Sequence, residues 1–334
     1  MFWRIALVLL LVLPSTPAFA AKKIKVRAGT VAPEGTPWEQ QIKTLKKHYR
    51  KDSGGILKLK VFLGGAKGDE KSLVRQCKNA KLELIGVSTA ALATEVPELQ
   101  ALELPFLFDS TEEADFVLDN YIYDEIKGIL AKYGFVLYQW AENGWQNIGL
   151  KNGFVKSPKD LKGRKIRSQE APVHLATWKA FGASPTEMPV SEVLQALNTG
   201  RVDGFAQTPL FSFAAAWYRG IKYYTVTKHV YQPGLLVYSK KWFDKQAVEI
   251  QEALLANVEK DTKKGRKGVR RLEPGLMANF KNYGIKIYEL NQGERNTFLS
   301  AARKVRKEFE KTASPDALSL LKRIDEGKAA FKKK

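Results

Sequence analysis

The 334-residue chain contains one cysteine, Cys77, which excludes a disulfide framework and any cysteine-rich zinc module. It has three histidines, His48, His174 and His229, far apart and without the spacing of a metal site. There is no Gly-x-Ser-x-Gly nucleophile elbow, no His-Glu-x-x-His zinc motif and no Gly-x-x-x-x-Gly-Lys phosphate loop. The carboxylates are scattered and offer no defined acid/base pair, so nothing points to an enzyme, a metal or a cofactor. After the first twenty residues no apolar run is long enough to span a bilayer.

What is present is apolar material and positive charge. A hydrophobic content of 44%, with 7 Trp, 12 Tyr and 17 Phe, supplies real cores and excludes disorder as the main state. Lys and Arg number 55 against 35 Asp and Glu, for a formal net charge of +20. Such a balance suits nucleic acid, an anionic membrane surface or an anionic ligand. The length suggests two domains, at roughly 150 residues each.

The N-terminus narrows these options. Arg4 precedes an unbroken apolar run, Ile5 to Leu13; Pro14 ends it, and Ala18-Phe19-Ala20 offers small residues where a signal peptidase reads. Nine helical residues rise only about 14 Å, against a bilayer core of about 30 Å. The segment reads as a secretory signal cleaved after Ala20, giving an exported, soluble chain. Export to the periplasm argues against a nucleic-acid partner. In that oxidising compartment Cys77 reads as a small buried apolar residue.

Beyond the signal, strands and helices alternate. Residues 23–29 and 57–62 alternate at period two, and residues 82–87 are nearly all apolar; all three read as strands. Helical spacing covers residues 39–51, 69–81 and 110–132, and Gly54-Gly55 stops the first of these. Residues 136–140, 165–167, 202–206 and 285–288 read as further strands. Residues 172–181 and 190–197 read as helices, with Ser191 as N-cap of the second. Residues 242–283 are largely helical and basic, kinked at Pro274. The pattern predicts an α/β fold with a mainly parallel sheet. No flexible linker separates the halves, so the chain crosses between them more than once.

Two segments carry candidate ligand chemistry. Leu161-Lys162-Gly163-Arg164-Lys165-Ile166-Arg167 places a guanidinium at a strand end, and Arg is suited to bidentate capture of a carboxylate. Val202-Asp203-Gly204-Phe205-Ala206-Gln207-Thr208 ends a short strand in an amide and a hydroxyl, where open α/β sheets dock ligands. By spacing alone, the commoner reading of the first is a solvated basic strand end, since charge runs usually face solvent.

Taken with Phe181-Gly182-Ala183-Ser184-Pro185, Ser191-Glu192-Val193 and Ala196-Leu197-Asn198-Thr199-Gly200, these segments resemble the DctP family of TRAP (tripartite ATP-independent periplasmic) transporter solute-binding proteins. Pro97-Glu98 through Leu104-Pro105-Phe106 extends the match over nearly the whole mature chain. The resemblance implies a two-lobed periplasmic binding protein fold with a hinge, a central cleft and a long helix crossing both lobes. It implies lobe I from residues 21–143 plus about 233–272, and lobe II from 144–232 plus about 273–330. It assigns the carboxylate clamp to Arg167 and carboxylate steering to Gln207. Residues after the first and third strands, Trp38, Ser88 and Thr89 among them, close the cleft from the other lobe. Trp145 and Phe211 complete the expected ligand shell.

The sequence also departs from the pattern. Some acid-sugar binders carry a second Arg soon after the Asn-Gly of this region; here Asn143-Gly144-Trp145-Gln146-Asn147 has none. The run Pro209-Leu210-Phe211-Ser212-Phe213 to Trp217-Tyr218 is unusually aromatic, as lobe core or as an apolar pocket. The implied function is a monomeric receptor that delivers a small carboxylate to small and large integral TRAP permease subunits. The alternative is a binder or shuttle of a hydrophobic or lipid-like ligand, working with a tetratricopeptide partner.

Overall fold

The computed structural model describes residues 23–334. The expected signal peptide and its cleavage site lie outside these residues.

The chain opens with β1 (Ile24–Thr30), α1 (Pro37–Asp52), β2 (Leu57–Phe62), α2 (Glu70–Lys78) and β3 (Leu84–Ser88). α3 (Thr89–Leu92) and a 3-10 turn at Pro97–Glu103 lead to α4 (Thr111–Asn120) and α5 (Tyr123–Lys132). β4 then runs 16 residues, Phe135–Leu150. β5 (Lys165–Ser168), α6 (Pro172–Ala180), β6 (Ser184–Glu187), α7 (Val193–Thr199), β7 (Gly204–Gln207) and α8 (Pro209–Ala214) follow. β8 runs 17 residues, Tyr223–Ser239. The chain ends with α9 (Lys240–Phe243), α10 (Val248–Leu255), α11 (Val258–Asn282), β9 (Lys286–Glu289), α12 (Gln292–Thr312) and α13 (Pro315–Phe331).

The nine strands among the described residues belong to one sheet, in the order β2-β1-β3-β8-β4-β7-β5-β6, with β9 on β8. The two ends are parallel βαβ units, as the alternation predicts: β1 pairs with β2 and β3, and β5 with β6 and β7. The middle corrects the expectation of a mainly parallel sheet. β4 and β8 are antiparallel partners from Phe135↔Ser239 to Leu150↔Tyr223, a run of about 50 Å at 3.3 Å per residue. One end of this pair carries β3, and the other carries β7 and β9. The two lobes are thus two ends of one sheet, joined by continuous strands. β8 escapes pattern reading because Lys228, His229, Gln232, Pro233 and Gly234 interrupt its alternation.

Helices cover both lobes. On the first, Ile42, Leu45 and Tyr49 of α1 are fully buried against β1, β2 and β8 residues such as Val26, Leu57 and Tyr238. Cys77 is buried in the largest core cluster, with its Sγ 3.8 Å from the Val237 carbonyl oxygen, and burial pushes its thiol well up. On the second, Phe205, Trp217, Tyr224 and Phe280 form a closed aromatic core. The 25-residue α11 crosses the fold: its first half packs on α1, and Met277 and Phe280 reach the second lobe's core. The helix continues through Pro274, whose missing N–H leaves the Arg270 carbonyl without its intrahelical donor.

Three local readings need correction. The helix expected over 110–132 is two helices, broken at Tyr121-Ile122. Ser191 caps nothing; it sits inside a 3-10 turn, Val190–Glu192, that feeds α7. Residues 273–330 do not act as one piece, since α12 packs on α6 but α13 packs on α4 and the Pro97–Glu103 turn of the first lobe.

Candidate functional site

Between the lobes lie two adjoining pockets of about 350 and 380 Å³ of empty space, open solvent included. They share Glu70, Gln169 and Val190 in their walls. Only about 20 and 30 Å³ of this space is room for the centre of a water molecule, so the cleft is nearly closed.

Arg167 stands at the end of β5 and lines the first pocket. It is 3% exposed. Its Nε and Nη2 both donate to the Met188 carbonyl, at 3.2 and 3.0 Å, and its guanidinium lies 5.1 Å from the centre of the Trp217 ring. Those contacts fix the fork and leave Nη1 buried without a partner. Burial pushes its pKa down to about 10, against the opposing pull of Glu70 and Glu170. The side chain is still charged at neutral pH, so the site holds a cation with one donor waiting. An unmet buried donor costs about 1–3 kcal/mol, more when charged, and an anion in the pocket removes that cost.

Glu70 faces it from the first lobe. Its carboxylate accepts the Ser88 backbone N–H at 2.8 Å and the Ser88 hydroxyl at 3.0 Å. Burial, the largest influence, raises the Glu70 pKa; the Ser88 bonds and Arg167 oppose it. At the rim, Lys71 and Glu170 form an ion pair across the lobes, 3.0 Å apart.

The second pocket is lined by Trp38, Ser88, Gln207 and Phe211, with Thr30, Asn143, Gln169 and Gln232. Trp38 lies against backbone: its Nε1 donates to the Glu142 carbonyl at 3.0 Å, and its ring covers Gly86 and Gly234. A Cβ at Gly234 would sit 2.5 Å from that ring, which is why the strands carry glycine there. Gln207 accepts the Thr208 backbone N–H on its Oε1 at 2.8 Å, which leaves its NH₂ for the pocket. Phe211 lines the pocket and packs T-shaped against Trp217, with centroids 5.7 Å apart.

The hinge beside the pockets is polar and closed. Glu103 of the first lobe, fully buried, takes His174 Nε2 of the second at 2.9 Å and Gln232 Nε2 at 2.9 Å. Gln169 Oε1 accepts from both Gln232 and Gln146, at 2.8 and 2.9 Å. Among the described residues no cluster of His, Cys, Asp or Glu could hold a metal ion, and no helix is long and apolar enough to cross a membrane.

The model of the family "Bacterial extracellular solute-binding protein, family 7" (DctP) matches residues 28–312. The chain belongs to that family. A solute-binding protein of Verminephrobacter eiseniae is 32% identical over 91% of this chain and 90% of its own length. The 2,3-diketo-L-gulonate-binding periplasmic protein YiaO of Escherichia coli is 30% identical over 81% of this chain and 82% of its own. A TRAP periplasmic solute-binding protein of Bradyrhizobium sp., solved with α/β-D-galacturonate, superposes with a TM-score of 0.86 at 31% identity, covering 91% of this chain and 100% of that one. DctP-family proteins are TRAP solute receptors of the periplasm, and this chain shares their two-lobed fold.

Within this DctP-family chain, the structure gathers five of the seven expected ligand residues around the pockets: Arg167, Gln207, Trp38, Ser88 and Phe211. It does not bring Thr89 or Trp145 there. The Thr89 hydroxyl is fully buried between the Glu103 carboxylate and the Pro233 carbonyl, so it belongs to the hinge. Trp145 turns away because β4 shifts register between Glu142 and Gly144, which breaks the two-residue alternation. Its ring packs edge-on to Tyr231, with centroids 5.3 Å apart, inside the main core. The aromatic run is mostly core as well: Phe213 stacks on Tyr218 at 5.0 Å, and Trp217 is 1% exposed.

Sequence reasoning missed Glu70, Gln169 and Gln232. Glu70 follows the N-cap Asp69 and looks like an ordinary first-turn acid. Gln169 lies two residues beyond Arg167, and that proximity was the one available signal. Gln232 sits in the strand that pattern reading did not find.

Proposed function

We propose that this receptor captures a polyhydroxylated organic acid of sugar-acid size. The observation that carries the reading is Arg167: a buried, charged guanidinium, locked on two nitrogens and unpartnered on the third, in the wall of an interlobe pocket. In this reading the ligand carboxylate takes Arg167 Nη1, and the Gln207 NH₂ steers it. Glu70 and the amides of Asn143, Gln169 and Gln232 read hydroxyls, and Trp38 and Phe211 cover the ligand's apolar faces. The relatives' ligands, 2,3-diketo-L-gulonate and galacturonate, have this chemistry. The polar pocket wall disfavours a lipid-like ligand, since only Phe211 of the aromatic run lines it.

Binding closes the lobes about the Glu142/Gly144 bulge, where β4 faces Pro233 and Gln232 of β8. That point supports lobe boundaries near 143/144 and 232/233, with α13 assigned to the first lobe. Closure excludes water and strengthens the carboxylate–Arg167 attraction. The loaded monomer, freed of its signal after Ala20, then docks on the small and large membrane subunits.

Calorimetry with D-galacturonate, D-glucuronate, galactonate and octanoate tests the reading. One of the sugar acids should bind at micromolar Kd or tighter. Binding of octanoate alone, or a phospholipid retained through purification and seen by native mass spectrometry, would overturn it.

A further inference from the structure

The cleft is not the only concavity. A groove of about 1,320 Å³ of empty space, open to solvent, lies between α1 and α11. The helices run antiparallel, with Pro37 against Gly268, Gln41 against Gly265, and His48 on Asp261. Gly265 leaves the room that the Gln41 side chain occupies.

Positive charge on α11 is sorted by face. Inward, Arg266 binds Asp119 at 2.6 and 3.0 Å, and Arg270 binds Asp115 and Glu142. Outward, Lys260, Lys264, Lys267 and Arg271 follow helical spacing along one ridge. All four are exposed, and none is in an ion pair among the described residues. Lys47 and Lys51 of α1, equally exposed and unpaired, stand on the facing ridge beyond Gln40 and Thr44. The acid in the wall, Asp261, turns its Oδ2 inward, 2.9 Å from His48 Nδ1 and accepting the Tyr138 hydroxyl at 2.7 Å, while its Oδ1 is buried without a partner. Gln41, in the groove wall, gives its Oε1 to Gln139 and leaves its buried Nε2 without an acceptor.

We propose that this groove docks an extended acidic segment of another protein. The eleven helical steps from Lys260 to Arg271 give a ridge about 16 Å long, which matches about five residues of extended chain. Acidic side chains on alternate faces would reach the two ridges, and the backbone would lie in the groove between them. A flat lipid surface would touch only the ridge tops and leave the groove unfilled. The site is separate from the ligand pockets, so it stands whether or not the ligand is a sugar acid.

Fluorescein-labelled hexaglutamate, followed by anisotropy on the full mature chain, tests the proposal. The wild type should bind in a salt-sensitive manner. Lys264→Glu/Lys267→Glu/Arg271→Glu should weaken binding by about tenfold or more, while Lys332→Glu/Lys333→Glu/Lys334→Glu, an equal charge change, should weaken it by less than about threefold. If the reversed chain fails to fold, the corresponding triple Gln variant should show the same ranking. No binding by the wild type, or equal loss in the groove and tail variants, overturns the proposal. So does loss of sedimentation with phosphatidylglycerol vesicles in the groove variant while peptide binding stays unchanged, since the surface would then be a lipid contact.

Discussion

Arg167→Met separates a ligand clamp from a structural arginine. Methionine keeps an unbranched apolar stem out to about the position of Nε and removes the guanidinium with its charge. In the ligand-free chain two effects oppose each other. The lowering of the Arg167 pKa from 12.5 to about 10 corresponds to roughly 3 kcal/mol spent on keeping the guanidinium charged in its buried site. The two bonds to the Met188 carbonyl return about the same amount, at roughly 1.5 kcal/mol each for a charged donor. Ligand-free stability should therefore change by no more than about 2 kcal/mol, in either direction. With ligand bound the balance is one-sided. A buried carboxylate that loses its partner costs about 3–5 kcal/mol, or two to four orders of magnitude in Kd. Calorimetry with the best sugar acid and thermal melting without ligand measure the two quantities. Affinity within tenfold of wild type, or a ligand-free melting temperature lowered by more than about 8 °C, would refute the reasoning.

Other expectations follow from neighbouring contacts. Burial raises the Glu70 pKa, so its stabilising contribution is present in acid and is lost as pH rises through the folded value; Glu70→Gln should gain stability relative to wild type between pH 4 and pH 7, and a relative loss in melts at those two pH values would contradict this. His229 is held neutral by burial, with a pKa near 3, so stability should fall as pH drops from 6.5 towards 3, by up to about 5 kcal/mol from this group; His229→Gln should flatten that slope in urea titrations. Gly234→Ala should push Trp38 into the pocket, costing about 1–3 kcal/mol of stability and at least tenfold in ligand affinity, with altered Trp fluorescence as the check. Lys71→Ala removes the partly exposed cross-cleft ion pair and should weaken ligand binding by no more than about fivefold, less at high salt; a larger loss would mean that Lys71 touches the ligand.

Much of the outer fold was legible because its elements are local. Residues 24–30 and 57–62 alternate at period two, and Ile42, Leu45 and Tyr49 fall on one helical face. The middle of the sheet was not legible. β8 satisfies its polar residues through tertiary partners: Gln232 through Glu103 and Gln169, and His229 through Thr227 and the rings of Trp178 and Phe181. Such residues break a hydrophobic pattern, and no local rule restores it.

The candidate site divides along the same line. The α/β class, the family resemblance and the position of Arg167 at a strand end could be read from residue type and short spacing. So could the +20 charge, though not where it acts. That Arg167 is buried with one free donor, and that Glu70 faces it from the other lobe, came only with the folded chain. Only it placed Thr89 in the hinge and turned Trp145 into the core. The physical reason is that burial, a register shift and an encounter across lobes are properties of chain segments far apart in sequence. The fold brings those segments together, pairs some of the charges and leaves others free.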